Sequence, residues 1–486
     1  MEISPSRRDF LKWTGVAFAS LALPRVGASA PQQGAQPKGS GTMADFAAPK
    51  LDRVRFGMIG VGDRGGSHVA QLMLLDGVEI TAIADPYKPA AEGWARHVVQ
   101  KGRKAPALYT DSDLDYRKLC ERDDVDAVII STPWEWHARQ AVDAMKLGKH
   151  AFVEVPAGIT VDELWELVET SESTKRHCMM TENVCYGREE LMVLNMCQMG
   201  LFGELLHGEA AYIHDLRFQM HQIDHGTGSW RTDHYVRRNG NLYPTHGLGP
   251  ICQYMDINRG DRLDFMSSVS SNSRVRAIYA KEQFPKGHPR RSLRFRCGDI
   301  NTSIVQTVNG RTILVQWDEQ LPRPYTRHNF IQGTKGCWGG FPNRMVLEGA
   351  TPTEEWTEGE ALEPFFAKYE HPLWKQIGDE ARKAGGHGGM DFVMLWRIVY
   401  CLRNGLPLDQ DVYDAAAWSV IGPLSEYSVA RRGRSVDIPD FTRGAWAKRP
   451  PLKLHTVWAG GEVQKDEGPS GCPAHSNWVR GQDLNL

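Results

Sequence analysis

Three glycines and one acid carry the first legible chemistry. Val54, Phe56, Met58 and Ile59 form a short apolar run that ends in Gly60-Val-Gly62-Asp-Arg-Gly65. Glycine at the first position permits a tight turn, and at the second it lets backbone approach a pyrophosphate. At the third it lets a helix press on its strand. The helix that follows, expected over about Ser67–Leu75, would offer its N-terminal amides to the phosphates. A second apolar run, Val78–Ala84, ends at Asp85, 20 residues past Gly65. An acid there accepts both ribose hydroxyls of NAD and repels a 2′-phosphate. The chemistry implied is hydride exchange with a bound NAD.

Histidines offer a second chemistry. His214, His221, His225 and His234 fall 7, 4 and 9 residues apart in a Gly- and charge-rich stretch, with no HExxH and no cysteine partner. They read as solvated loop histidines, and no metal is expected. His246 reads differently. It follows Tyr243-Pro244-Thr245 in a loop-like segment. Imidazole titrates near neutral pH, so it can take a proton and return it.

Alternating elements must position these groups. After Asp85, Lys88–Lys101 and Leu114–Cys120 are helical in pattern, and Asp126–Thr132 is a continuous apolar strand. Ala138, Ala141, Val142 and Met145 mark a helix that stops at Gly148, and His150–Val153 is a strand leading into Glu154-Val155-Pro156. Strand and helix in alternation predict a doubly wound parallel sheet over residues 51–180. Ligands of such sheets sit beyond the carboxyl ends of the strands. That places Thr132-Pro133-Trp134-Glu135-Trp136-His137 and Glu154 near the nicotinamide half.

From residue 181 the pattern changes. A helix over Arg188–Met199 leads into an alternating strand, Gly203–His214, and strands recur at Phe265–Ser270, Thr302–Val308, Arg311–Gln316 and His328–Gly333. Strands without intervening helices predict an α+β domain, residues 181–457, built on a large open, mainly antiparallel sheet. Helices at Gly389–Arg403 and Val412–Arg431 are expected to pack against it, and an open sheet face of this kind commonly pairs with a second subunit. Residues 458–486 read as an irregular tail.

The N-terminus reads as an address. Ser6-Arg7-Arg8-Asp9-Phe10-Leu11-Lys12, a modest apolar stretch Trp13–Leu23 and Ala28-Ser29-Ala30 together describe a Tat-type signal peptide over residues 1–30. Residues 31–50 read as a flexible linker. The Tat export machinery is thus an expected partner, with a periplasmic or extracellular destination. Charge is balanced, 57 basic against 59 acidic residues, which gives no support to a nucleic-acid or membrane-surface role. No run of 18 apolar residues suggests a membrane span. The nine cysteines form no CxxC and no regular framework, so free thiols are expected.

With fingerprint, Glu154-x-Pro156 and open-sheet second domain in view, residues 50–435 resemble the glucose–fructose oxidoreductase, inositol dehydrogenase and MocA family. That family has a Rossmann domain followed by an α+β domain. More narrowly, six separated stretches are similar to glycoside hydrolase family 109, whose known members are NAD-dependent α-N-acetylgalactosaminidases. They are Gly62-Asp-Arg-Gly-Gly66, Thr132-Pro-Trp-Glu-Trp-His137, Glu182-Asn183-Val-Cys-Tyr186, Trp230-Arg231-Thr, Asn241-Leu-Tyr243-Pro-Thr-His246-Gly and His387-Gly-Gly-Met-Asp391-Phe. Ordinary dehydrogenases of the wider family carry Glu-Lys-Pro, whose lysine assists removal of the hydroxyl proton. Here the middle position is Val155, which cannot titrate.

The resemblance implies a hydrolysis without net redox. The sugar C3 hydroxyl is oxidised, the C2 proton removed, the C1–O bond eliminated, water added and the ketone reduced again, with NAD tightly bound and recycled. It implies cofactor contacts at Gly60, Gly62, Asp63, Arg64, Gly65, Asp85, Trp134, Glu135, Trp136, His137, Glu154, Val155 and Asn183. It implies contacts to a glycan or glycoside substrate at Tyr212, Arg231, Tyr243, Pro244, Thr245, His246 and Tyr325. His246 is the leading acid/base candidate. Tyr186 and Tyr325 follow, each either a base or a hydrogen-bonding wall, and Glu154 is either an acid or a nicotinamide-side contact. Two other functions fit part of the pattern: a periplasmic NAD(P)-dependent sugar oxidoreductase, against which Val155 speaks, and a non-catalytic sugar- or NAD-binding protein.

Overall fold

The computed structural model describes residues 42–454; the expected signal peptide and the tail from residue 458 lie outside the described residues. Its first sheet contains six strands: β1 (Val54–Ile59), β2 (Val78–Ala84), β3 (Ala107–Tyr109), β4 (Ala127–Ile130), β5 (His150–Val153) and β6 (Cys178–Met180). They lie in the order β3-β2-β1-β4-β5-β6, every pair parallel. β4 and β5 are buried at every residue, as a sheet covered by helices on both faces requires. Strand order reverses between β1 and β4, and a crevice opens there beyond the strand ends.

The helix after β1 spans Asp63–Leu72, four residues ahead of its expected start, so the glycine turn is only three residues long. A Cβ at Gly65 would stand 2.0 Å from the carbonyl oxygen of Gly60. Any side chain there would lever the helix off its strand.

The second sheet contains nine strands. They are β7 (Leu205–Ile213), β8 (Leu263–Ser270), β9 (Asn301–Thr307), β10 (Thr312–Asp318), β11 (Phe330–Gly333), β12 (Gly336–Gly339), β13 (Arg344–Leu347), β14 (Thr357–Glu358) and β15 (Val436–Asp437). Their order is β14-β13-β12-β11-β7-β10-β9-β8-β15. β7 and β10 run parallel and the other neighbours antiparallel, so the sheet is mainly antiparallel.

Three expectations need correction. The helix expected over Val412–Arg431 is two, Val412–Ser419 and Ile421–Ala430. Pro423 lacks the N–H that would bond back to Ser419, and the first helix ends there. Nor do the late helices all cover the second sheet. Met390–Asn404 packs on Asp63–Leu72, and Val412–Ser419 packs on Val161–Thr174 and β6. Only Ile421–Ala430 lies along β8. Finally, the linker expected over 31–50 gives way to packed chain by Met43, which is buried along with Ala48, and the Met43 amide donates to the Tyr413 hydroxyl. The carboxyl-terminal part of the chain therefore completes the cover of the first sheet.

Candidate active site

The crevice beyond β1 is built to hold a dinucleotide. Asp85 ends β2, and its two oxygens accept the amides of Val61 and Tyr87, each at 2.8 Å. Burial pushes this carboxyl up from its usual value against those two amides. Each oxygen keeps a lone pair for a ribose hydroxyl. A Cβ at Gly62 would meet nothing within 4 Å, so backbone there faces open space. Ser131, packed against Gly60 and Gly65, has a buried hydroxyl without a partner, and so does the side-chain carbonyl of Asn183. Open backbone at a helix N-terminus, an acid at the next strand end on one side and unpartnered polar atoms after β4 and β6 on the other fit NAD.

Beneath this loop lies an ion cluster. Arg64 donates from Nε to Glu154 at 2.7 Å and from Nη1 and Nη2 to Asp391 at 2.8 and 3.1 Å. Glu154 also faces His68 Nε2 at 2.6 Å and accepts the Thr181 hydroxyl at 3.0 Å. Asp391 accepts Asn183 Nδ2 at 2.7 Å and His387 Nδ1 at 2.8 Å. Burial alone would raise both carboxyls, yet the Arg64 guanidinium outweighs it and holds both well below the carboxylate range. The structure places Glu154 as the shared partner of Arg64, His68 and Thr181. Val155, beside it, is buried.

On the facing side, Gly247 sets the geometry. Its Cβ would stand 2.3 Å from the Ala211 nitrogen, so the start of helix Thr245–Tyr254 rests directly on β7. His246 is thus the second residue of a helix rather than part of a loop. The close approach brings it to Tyr212 of β7, ring centres 5.2 Å apart, and to Tyr243 at 4.9 Å. Tyr212 meets Tyr243 at 4.9 Å and Tyr325 at 6.1 Å. Tyr325 is partly exposed, and its hydroxyl oxygen accepts from Arg327 Nη1 at 2.8 Å.

The two halves meet at Trp134. This residue opens the helix after β4, stacks on Tyr243 at 5.8 Å and carries the Arg231 guanidinium 4.9 Å from its ring centre. Arg231 donates to Glu319 at 3.1 Å, and its Nε is buried without a partner. His246 Nδ1 donates to Glu182 Oε1 at 2.7 Å. Glu182 is fully buried, and its Oε2 has no partner. Burial raises the phenols of Tyr212 and Tyr243. That shift disfavours either phenol as a base.

Tyr212, Arg231, Tyr243, His246 and Tyr325 thus form one cluster of rings and cation against Trp134, with Pro244 and Thr245 beside them in the chain. Several other candidates do not join them. Tyr186 is buried with its hydroxyl donating to Asp409, itself held by Arg397, and burial raises the phenol far above its usual value. The structure places its hydroxyl in a core hydrogen bond. Trp136 turns to Tyr116 and Arg139. Both ring nitrogens of His137 lie 2.7 Å from backbone carbonyls, of Pro156 and Thr132, so its ring holds the turn. Glu135, half exposed, pairs with His234 at 3.2 Å. That corrects His234 as well. It is buried on helix Thr227–Arg237 against Trp134, not a solvated loop residue. Among the described residues no group of three or more His, Cys, Asp or Glu side chains is placed to hold a metal.

Glu182, Glu319 and Asp391 carry much of the site, and none had been given a role from sequence. Glu182 and Asp391 stand inside motifs already singled out, but their partners are remote in the chain.

Comparison with known proteins agrees with this geometry. Residues 54–182 match the family model of the oxidoreductase family with NAD-binding Rossmann fold, and residues 186–448 match that of the glycosyl hydrolase 109 C-terminal domain. A glycosyl hydrolase family 109 protein of Shewanella baltica is 57% identical over 451 residues, 92% of this chain and 98% of the relative. A Shewanella oneidensis protein named alpha-N-acetylgalactosaminidase is 56% identical over 453 residues, covering 92% and 98%. Among solved structures, an NAD binding oxidoreductase from Klebsiella pneumoniae shares the fold at TM-score 0.61 and 16% identity, over 80% of this chain and all of that one. Levoglucosan dehydrogenase in complex with NADH does so at 0.59 and 17%, with the same coverage. An NAD-binding Rossmann half and a hydrolase-type second half, joined in one chain at this identity, place the protein in glycosyl hydrolase family 109.

Proposed function

We propose that the protein hydrolyses terminal α-linked N-acetylgalactosamine through oxidation at C3, loss of the C2 proton, elimination of the C1–O bond, addition of water and re-reduction. Bound NAD would accept the C3 hydride and give it back, so the cofactor leaves each turnover unchanged. The observation that carries this reading is His246, held by a buried carboxylate in an aromatic pocket that shares Trp134 with the dinucleotide crevice. Donation of Nδ1–H to Glu182 leaves Nε2 to take the C3 hydroxyl proton and return it at the end. Val155 cannot do this, so the family's usual lysine has no substitute at its own position. The unpartnered Nε of Arg231 suits the acetamido carbonyl. Because Arg327 donates to the Tyr325 oxygen, the Tyr325 O–H is left to donate to the departing oxygen. The name of the Shewanella oneidensis relative supports the sugar class. The twin arginines, Arg7 and Arg8, support export of the folded chain with its cofactor already aboard.

The test is an aryl α-N-acetylgalactosaminide incubated with the protein in D2O without added NAD. Aglycone release with deuterium entering C2 is the expected result. In a second arm with NAD added in excess, steady NADH accumulation without aglycone release would overturn it in favour of a sugar oxidoreductase.

A further inference from the structure

One segment of the second half of the chain reaches across the dinucleotide crevice. It runs from Gln222 to Arg237, a short turn followed by helix Thr227–Arg237. At its start, the ring of exposed His225 meets Tyr87 edge to face, centres 4.0 Å apart. Tyr87 lies two residues beyond Asp85, whose carboxylate binds the Tyr87 amide. Five and nine residues on from His225, the same segment meets the other side. Trp230 and His234 pack on Trp134 at 5.2 and 4.9 Å, and His234 pairs with Glu135.

Sheet order gives these contacts their meaning. Tyr87 follows β2, and Trp134 follows β4. β2 and β4 are the two neighbours of β1, whose end carries Gly60 and Gly62. A segment touching both flanks must pass over the phosphate-binding turn between them. It is also firmly based. Arg290 Nη2 donates to the carbonyls of Gln222 and Gly228 at 3.0 and 3.3 Å, and the Gly228 amide donates to Gln222 Oε1 at 2.6 Å.

We propose that residues 222–234 form a strap that encloses the bound dinucleotide, with His225 and Tyr87 as cofactor-retaining residues at its adenosine end. The proposal rests on the NAD reading of the crevice. A pyrophosphate seated on Gly60–Gly65 has its adenosine toward Asp85 and its nicotinamide toward β4 and β5. It then lies beneath the strap along its length. Departure requires the His225–Tyr87 contact to open, whereas chemistry at the Trp134 end does not. A cofactor regenerated within each turnover has no need to leave, and a strap would slow its loss.

The full chain is purified, gel-filtered without added NAD, and its dinucleotide content measured after acid release. Dissociation is then followed after loading with NAD and dilution into an auxiliary dehydrogenase and its substrate, which convert released NAD to NADH. His225→Ala and Tyr87→Ala are expected to lose NAD at least about 10-fold faster than the natural protein, the effect of removing about 1.4 kcal/mol. His225→Phe, which keeps an aromatic edge on Tyr87, is expected to retain it. Thermal unfolding of each NAD-free variant shows whether the fold stands. Folded alanine variants that release NAD at the natural rate would overturn the strap while leaving the NAD reading intact. A natural protein that neither contains nor binds NAD would overturn both. Should Tyr87→Ala fail to fold, His225→Ala, at an exposed residue, decides the matter.

Discussion

Two buried glutamates follow the neighbouring strands β5 and β6, and their surroundings assign them opposite work. Glu154 lies among Arg64, His68 and Thr181, three donors to one oxygen, with Asp391 closing the cluster through Arg64. Its charge is fixed. Glu182 is bonded to the His246 ring, takes the Val184 amide on the same oxygen, and leaves Oε2 unpartnered. A carboxylate saturated by permanent charge is scaffold. One whose principal partner is a titratable ring can support proton transfer, because the ring's change of charge occurs against it. The cluster around Arg64 is thus ionic, while the cluster around His246 is aromatic and holds its histidine on a buried carboxylate.

The largest expected effect tests the cluster around His246. His246→Gln should lower kcat by about 10²–10⁴-fold, the usual contribution of a positioned acid/base. Glu182→Gln keeps the shape but can offer an N–H where His246 needs an acceptor. The wrong ring tautomer then faces the sugar, and kcat should fall by up to about 10⁴-fold with KM and NAD content little changed. If Glu182→Gln costs stability and KM but spares kcat, Glu182 is scaffold too, and the contrast collapses.

The next effect belongs to the cluster around Arg64. Asp391→Asn leaves Arg64 with one carboxylate in place of two and should destabilise the fold by about 3–5 kcal/mol, read by denaturant titration. The pH dependence follows from the sign of the shifts. Folded Glu154 and Asp391 are held below the ordinary carboxylate range, burial opposing and Arg64 prevailing. Their stabilisation is therefore fully present above the unfolded value of about 4 and is lost as pH falls below it toward the folded values. Asp391→Asn should show a shallower loss of stability below about pH 4 than the natural protein. Equal acid slopes would mean the cluster is not ionic in solution.

The same contrast governs what could be read from sequence. Gly60, Gly62, Gly65 and Asp85 were legible because their work is local: a turn, a close approach and a strand end within one unit. The parallel sheet was legible for a similar reason, since continuous apolar runs such as β4 leave few alternatives. The cluster around His246 is assembled over distance. Glu182 reaches His246 across 64 residues, and Arg231 reaches Glu319 across 88. No periodicity carries that information. His246 could be singled out by its chemistry, but not its helix, because Gly247, Gly249 and Pro250 read as a loop. Gly247 is small so that the helix can lie on β7, and Gly249 is small where the helix meets Cys185, Glu182 and Trp418. His234 was misplaced for the converse reason: a polar residue in a Gly-rich stretch looks solvated until Trp134 is seen beside it.

Tyr186 gives the smallest effect and the cleanest division between motif and geometry. It stands three residues after Asn183, in a stretch shared with the hydrolase family, and sequence alone offers it as a base. Its hydroxyl points instead at Asp409 Oδ2, 3.2 Å away, in a pocket sealed by Arg397 and Trp374. Tyr186→Phe removes one buried hydrogen bond but strands no charge, because Arg397 still grips both Asp409 oxygens at 2.8 and 2.7 Å. The expected cost is about 1 kcal/mol of stability. Turnover should stay within about twofold of the natural protein, since no proton at the sugar passes through this phenol. A fall in kcat by more than about 10-fold, with stability little changed, would return Tyr186 to the chemistry and show that the core around Asp409 opens during turnover.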